Sequence, residues 1–226
     1  MSYNYFFLSM MLYNATFGLM IIVTVILGVI AVLFALKKTS HSGQLISGIL
    51  AFLWLWVGIV YGFLWCGFWI LITFREAAGS IPGFGYFYGV IFTLQGVLFW
   101  YYGVYHKFLS FKFKSNLLGV TGFVLIIFAI AFYWYVGVIT GYPFPFYPVF
   151  GTAPAPVVIL TVGLFLWADK RILPILLLIP TIQGLFGFMP SLGFGIYADI
   201  VMFLSAFICI YLIHKHWIPL NSLTPS

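Results

Sequence analysis

Read for polarity alone, the chain is a series of apolar runs about 20 residues long, the length a helix rising about 1.5 Å per residue needs to cross a hydrocarbon core of about 30 Å. The runs fall at residues 17–36, 45–72, 83–105, 117–139, 154–168, 172–188 and 192–213. They predict an all-α integral membrane protein, a single bundle of about seven transmembrane helices, with residues 1–226 forming one polytopic domain. The breaks between runs are short, and no soluble domain is inserted. The first run has no basic residue before it and Lys37 and Lys38 after it. That is the reverse of a secretory signal peptide, so it reads as a retained span.

Composition sharpens this picture. The chain is 65% hydrophobic, 22% aromatic and 5% charged, against soluble averages of roughly 45–50% and about 25%. The net charge of +6 is spread over short loops instead of one face, which argues against nucleic acid as a partner. The lipid bilayer is the expected partner, together with another membrane protein or a second copy of the chain. With seven spans, Lys37, Lys38, Lys107, Lys112, Lys114, Lys170, Arg171 and Lys215 share one side and Arg75 stands alone on the other. Basic residues favour the cytoplasmic side of short loops, so a cell-membrane protein with its N-terminus outside and its C-terminus cytoplasmic is expected.

The fifth run is the anomaly. It is preceded by GYPFPFYPVFGTAPAP, residues 141–156, with five prolines and no charge. Proline has no amide hydrogen and biases the residue before it away from helical geometry, so residues 142–155 should be extended or turned. The helix after Pro156 would then rise only about 20 Å. A short or broken fifth crossing is therefore expected, entered through an embedded loop that includes Tyr147, Pro148, Phe150, Gly151, Pro154 and Pro156. Non-helical backbone at membrane depth survives only where protein or a water-filled cavity surrounds it. A half-helix starting there would direct its free amides and positive dipole end at whatever lies before it.

Few polar residues interrupt the runs. Asp199, placed seven residues into the last run, is the carboxylate farthest from a charged loop, and an ionisable group inside a membrane is a functional hypothesis by default. Depth arithmetic puts Asn14, Tyr61 and Thr152 near it, as a possible polar or ligand layer. Gln95 and Gln183 fall nearer mid-span, where an amide serves as glue between helices or lines a path. Cys66 and Cys209 lie in apolar runs and read as small packing residues. His41, His106, His214 and His216 all fall on the inner side and read as interface residues, so no metal and no cofactor is assigned. Glycine pairs at 58/62, 85/89 and 137/141 would let helix backbones approach closely. No catalytic residue is named: the chain has no HExxH, no Ser-His-Asp set and no phosphate-binding glycine loop.

Two segments, ISGILAFLWLWVGIVY at residues 46–61 and YPVFGTAPAP at 147–156, resemble an uncharacterised family of small prokaryotic polytopic membrane proteins, a domain of unknown function. Tyr13-Asn14, Leu94-Gln95 and Asp199 extend the resemblance over most of the chain. The family pattern commonly has Cys where this chain has Ala155, and threonines where it has Val157 and Val158, so any role of that thiol or those hydroxyls is missing here. The resemblance implies a multi-span membrane protein and brings no substrate. Sparse ionisable groups predict a non-enzymatic accessory or scaffold component of a membrane complex. The alternative is a transporter or channel for a small neutral or anionic solute, using the broken fifth span and Asp199.

Overall fold

The computed structural model describes residues 2–70 and 81–216. Arg75 and Glu76, the charged pair of the expected outer loop, lie outside the described residues. The described chain is helical throughout its regular structure: α1 (Ser2–Thr16), α2 (Gly18–Leu36), α3 (Ser42–Trp69), α4 (Gly83–Tyr105), α5 (Leu117–Ile139), α6 (Pro154–Leu166), α7 (Pro174–Phe194) and α8 (Asp199–His216). No strand occurs among the described residues, which hold one isolated bridge between Phe111 and Ala168. Parts of α3, α4 and α5 are wound as wider π turns, at Val57–Trp69, Phe99–Tyr105 and Phe128–Phe132.

Helix starts follow local chemistry. Asn116 caps α5, its Oδ1 accepting from the Gly119 amide at 2.8 Å, which satisfies one of the amides a helix start leaves unpaired. Ala153 is extended at φ −115°, ψ 156°, and α6 begins at Pro154. A proline fits there because its missing N–H would have had no intrahelical acceptor.

Among the described residues, five helices, α2, α3, α4, α5 and α7, are long and apolar enough to cross a membrane; α6 has 13 residues. Against the expectation of about seven spans, the described residues hold these five, a short α6 and a final α8 whose start differs from the reading. α8 begins at Asp199 instead of residue 192, and α7 runs on to Phe194 instead of ending at 188. The reason is Gly195, whose left-handed φ of +72° stops α7 as such glycines stop helices generally; the apolar content of residues 192–198 conceals that stop. A further helix, α1, precedes the first expected run and buries Phe7, Met10, Tyr13 and Asn14 against the bundle.

α6 is the axis of the fold. Every residue from Ala155 to Leu166 is buried, enclosed chiefly by α5 and α8. It is tied to its neighbours by Trp54 Nε1 donating to Thr161 Oγ1 and by Trp167 Nε1 donating to Gly119 O, each 2.8 Å. α2 is the opposite, with Leu19, Ile22, Ile26 and Leu33 all more than half exposed. α3 and α4 meet along a glycine seam, where a Cβ on Gly62 would lie 2.6 Å from Gly89 Cα. The 58/62 and 85/89 pairs thus do bring backbones together. Gly137 instead makes room for the Tyr147 ring, and Gly141, at φ +86°, serves a turn.

Candidate functional site

The proline-rich strip divides in two. Residues 141–146 are exposed or half-buried, whereas residues 147–153 are all buried. Buried backbone outside a helix must find hydrogen-bond partners or be destabilised, and here the carbonyls of Pro145, Tyr147, Val149, Phe150 and Thr152 find them. Asn14 Nδ2 donates to Pro145 O at 2.7 Å and to Tyr147 O at 2.9 Å. The Ala153 amide donates to Val149 O at 3.3 Å, Thr24 Oγ1 to Phe150 O at 3.3 Å, and Tyr13 OH to Thr152 O at 3.1 Å. The Ala198 amide reaches Tyr147 OH at 3.4 Å. Gly151 holds φ +76° directly against Thr24, where any side chain would collide. The strip is thus clamped by α1, α2 and the start of α8.

In front of the strip lies a cavity of about 260 Å³, bounded by α1, α3, α4, Tyr133 of α5, the start of α6, the end of α7 and the start of α8. Its walls are largely apolar, including Phe6, Met10, Phe87 and Met202, and its polar points are Tyr61, Cys66, Tyr88, Tyr133 and Asp199. Asp199 opens α8, 5% exposed. The Tyr133 hydroxyl donates to Asp199 Oδ1, and no basic side chain pairs with Asp199 among the described residues. The reading that set Asp199 seven residues inside the last helix is therefore corrected: it occupies the first turn, and its burial comes from neighbouring segments.

The start of α6 also borders this cavity, through Ala153, Pro154 and Ala155. A helix start normally offers several free amides. Here Pro154 and Pro156 have none, and the Ala153 amide is already donated to Val149 O. Ala155 is left as the one amide of the first turn without an intrahelical acceptor, so the device expected for an anion is largely dismantled by the prolines that start the helix. Acceptors and hydroxyls dominate the polar points, which suits a guest that donates hydrogen bonds.

The anticipated polar layer is brought together only in part. Tyr61 and Asp199 share the cavity, with Pro148 and Pro154 on its wall. Asn14 and Thr152 act behind it by holding the strip, as do Tyr147, Phe150 and Gly151, while Pro156 is buried in the first turn of α6. Gln95 donates to Leu176 O at 3.0 Å, binding α4 to α7 as glue. Gln183 is buried, with no hydrogen bond to its amide among the described residues. Neither glutamine borders the cavity. Sequence reasoning did not single out Tyr133, Tyr88 or Tyr13 as site residues, because one tyrosine among 15 carries no mark. Cys66 was read as packing and is buried, but on the cavity wall. Tyr13 could have been found: Phe7, Met10 and Asn14 recur at helical spacing beside it. His106 packs against Tyr101, Tyr105 and Phe108. No group of three His, Cys, Asp or Glu could hold a metal ion among the described residues.

These features define an all-helical protein with several helices of membrane-crossing length around a short buried one, and an apolar cavity carrying one carboxylate. By sequence, residues 3–222 match a family described as Family of unknown function (DUF6064), and the chain belongs to that family. No curated protein and no solved structure matches the chain.

Proposed function

We propose that this chain is a multi-pass membrane protein that binds and passes a small neutral or cationic solute through the cavity at Asp199. The observation that carries this reading is the cavity itself: about 260 Å³ of mostly apolar wall with Asp199, Tyr133 and Tyr61 as its polar points. A buried carboxylate without a basic partner favours guests that bring a donor or positive charge. An anionic guest finds one amide at the start of α6 and a carboxylate opposite, so the anionic reading gives way to the cationic one. The membrane part of the proposal is supported by five helices of sufficient length and apolarity and by the broad exposed apolar surface of α2. Soluble proteins rarely expose so continuous an apolar surface. Retention of the basic residues on the cytoplasmic side puts the N-terminus outside and the cavity toward the outer face.

Native thiols test this reading without new mutations. Cys66 lines the cavity and Cys209 is buried away from it. In intact cells, a small membrane-impermeant cationic thiol reagent should modify Cys66 from outside and leave Cys209 untouched. Modification only from the cytoplasmic side would reverse the orientation, and none from either side would end the solute reading.

A second reading, an accessory subunit or homo-oligomer, is favoured by one observation. Trp100, Tyr101 and Tyr105 stack on one face of α4 while remaining about half exposed. Such a face fits a partner helix, and a stoichiometric companion retained in mild detergent would support it.

A further inference from the structure

We infer that a second, basic cavity at the end of the bundle opposite Asp199 is a site for the phosphate headgroup of an anionic phospholipid. It measures about 350 Å³ and gathers cations from two connections and one helix end: Lys114 before α5, Lys170 and Arg171 between α6 and α7, and Lys215 in the last turn of α8. The fold, not sequence adjacency, brings them together, through the Phe111–Ala168 bridge and the Lys112 amide donating to Trp167 O at 2.7 Å. One carboxylate, Asp169, also faces the cavity, but it is engaged by Lys38, so its charge is already matched. Asn116 on the same wall adds a neutral amide: its Oδ1 is committed to the Gly119 amide, which leaves Nδ2 as its donor.

This chemistry selects phosphate. Lys114, Lys170 and Lys215 present three convergent point charges, a form in which lysine commonly holds phosphate oxygens. The remaining wall is apolar, with Phe165 and Leu212 inside it, and Leu117 beside it is 81% exposed. A headgroup whose glycerol and acyl chains continue along such a surface satisfies both halves, whereas a free phosphate satisfies one. Basic pockets between helix ends bind anionic headgroups in this way. The site is independent of the solute cavity and uses none of its residues.

The test uses the full chain purified in a neutral detergent, with fluorescent phosphatidylglycerol as the probe and phosphatidylcholine, inorganic phosphate and glycerol 3-phosphate as competitors. Phosphatidylglycerol should bind at least about tenfold more tightly than phosphatidylcholine, with an affinity that falls as salt is raised. The triple variant Lys114→Gln, Lys170→Gln, Lys215→Gln should lose most of that preference. A variant with the same charge change elsewhere, Lys37→Gln, Lys107→Gln, Lys112→Gln, should keep it, and so should Asp199→Asn. Equal binding of the two lipids, an unchanged triple variant or an equal loss in the control variant would overturn the proposal. Competition by inorganic phosphate as strong as that by the lipid would overturn the lipid source.

Discussion

At one end of the bundle, Asp169 meets Lys38 where water reaches both side chains, 16% and 39% exposed. At the other, Asp199 is 5% exposed and takes its hydrogen bond from Tyr133. The first arrangement is one that surface chemistry produces readily and that contributes little stability. The second places a carboxyl where its solvation must be replaced by protein groups, which is unfavourable unless something nearby compensates or the position serves a guest. The surroundings differ accordingly: the Asp169 end is rich in cations, and the Asp199 end is a largely apolar cavity backed by a buried strip that α1 and α2 hold by hydrogen bonds. On the two proposals made above, specificity belongs to the Asp199 end and electrostatic attachment to the other.

The comparison breaks most completely if the strip is displaced. Gly151→Val combines a left-handed φ with a collision at Thr24, and should cost about 3 kcal/mol or more. The expected outcome is a collapse of folded yield in detergent by size-exclusion chromatography. A comparable change at Gly18, which has open space around it, should be tolerated far better.

Next in size is Tyr133→Phe, which deletes the donor to Asp199 and leaves the cavity shape nearly unchanged. A hydrogen bond to a charged group contributes about 1.5–3 kcal/mol, so a clear fall in melting temperature is expected. Adding Asp199→Leu should recover part of the loss, since removing both partners is less harmful than orphaning one. A double variant as unstable as the sum of the singles would mean that the two residues do not act together.

The smallest effect belongs to the surface pair. Burial alone would raise the Asp169 carboxyl, but its hydrogen bonds and the Lys38 charge outweigh this and hold it below its ordinary value. A carboxyl lowered in the folded state adds stability that is present above the ordinary value of about 3.9 and is lost as pH falls through the folded one. Lys38→Gln should therefore flatten the acid limb of a stability-against-pH curve and change neutral stability by less than about 1 kcal/mol, with salt reducing even that. A larger effect at neutral pH would make the basic end a structural keystone and weaken the contrast.

Much of this architecture is legible along the chain because hydrophobic run length and proline chemistry are local. Pro154 and Pro156 announce where α6 starts, and the 147–156 segment announces an enclosed strip. Glycines at 58, 62, 85 and 89 announce the close seam of α3 and α4. What the sequence conceals is lateral. Asp199 stands out as a carboxylate in an apolar stretch, but nothing local names Tyr133, 66 residues away, as its donor. The stop at Gly195 is equally hidden, since glycine inside an apolar run is compatible with a continuing helix until its φ is known. Gln95 and Gln183 look alike in sequence, yet one ties α4 to α7 and the other has no bond among the described residues.

The most direct measurement is the rate at which Cys66 reacts with two thiol reagents of similar size, one a quaternary ammonium and one a sulfonate, at alkaline pH and referenced to a free thiol. With the carboxyl of Asp199 on the same cavity wall, the cationic reagent should be favoured by about tenfold or more, and Asp199→Asn should bring the ratio close to one. Equal rates in the native protein, or a preference for the sulfonate, would contradict an acceptor-lined cavity built around Asp199.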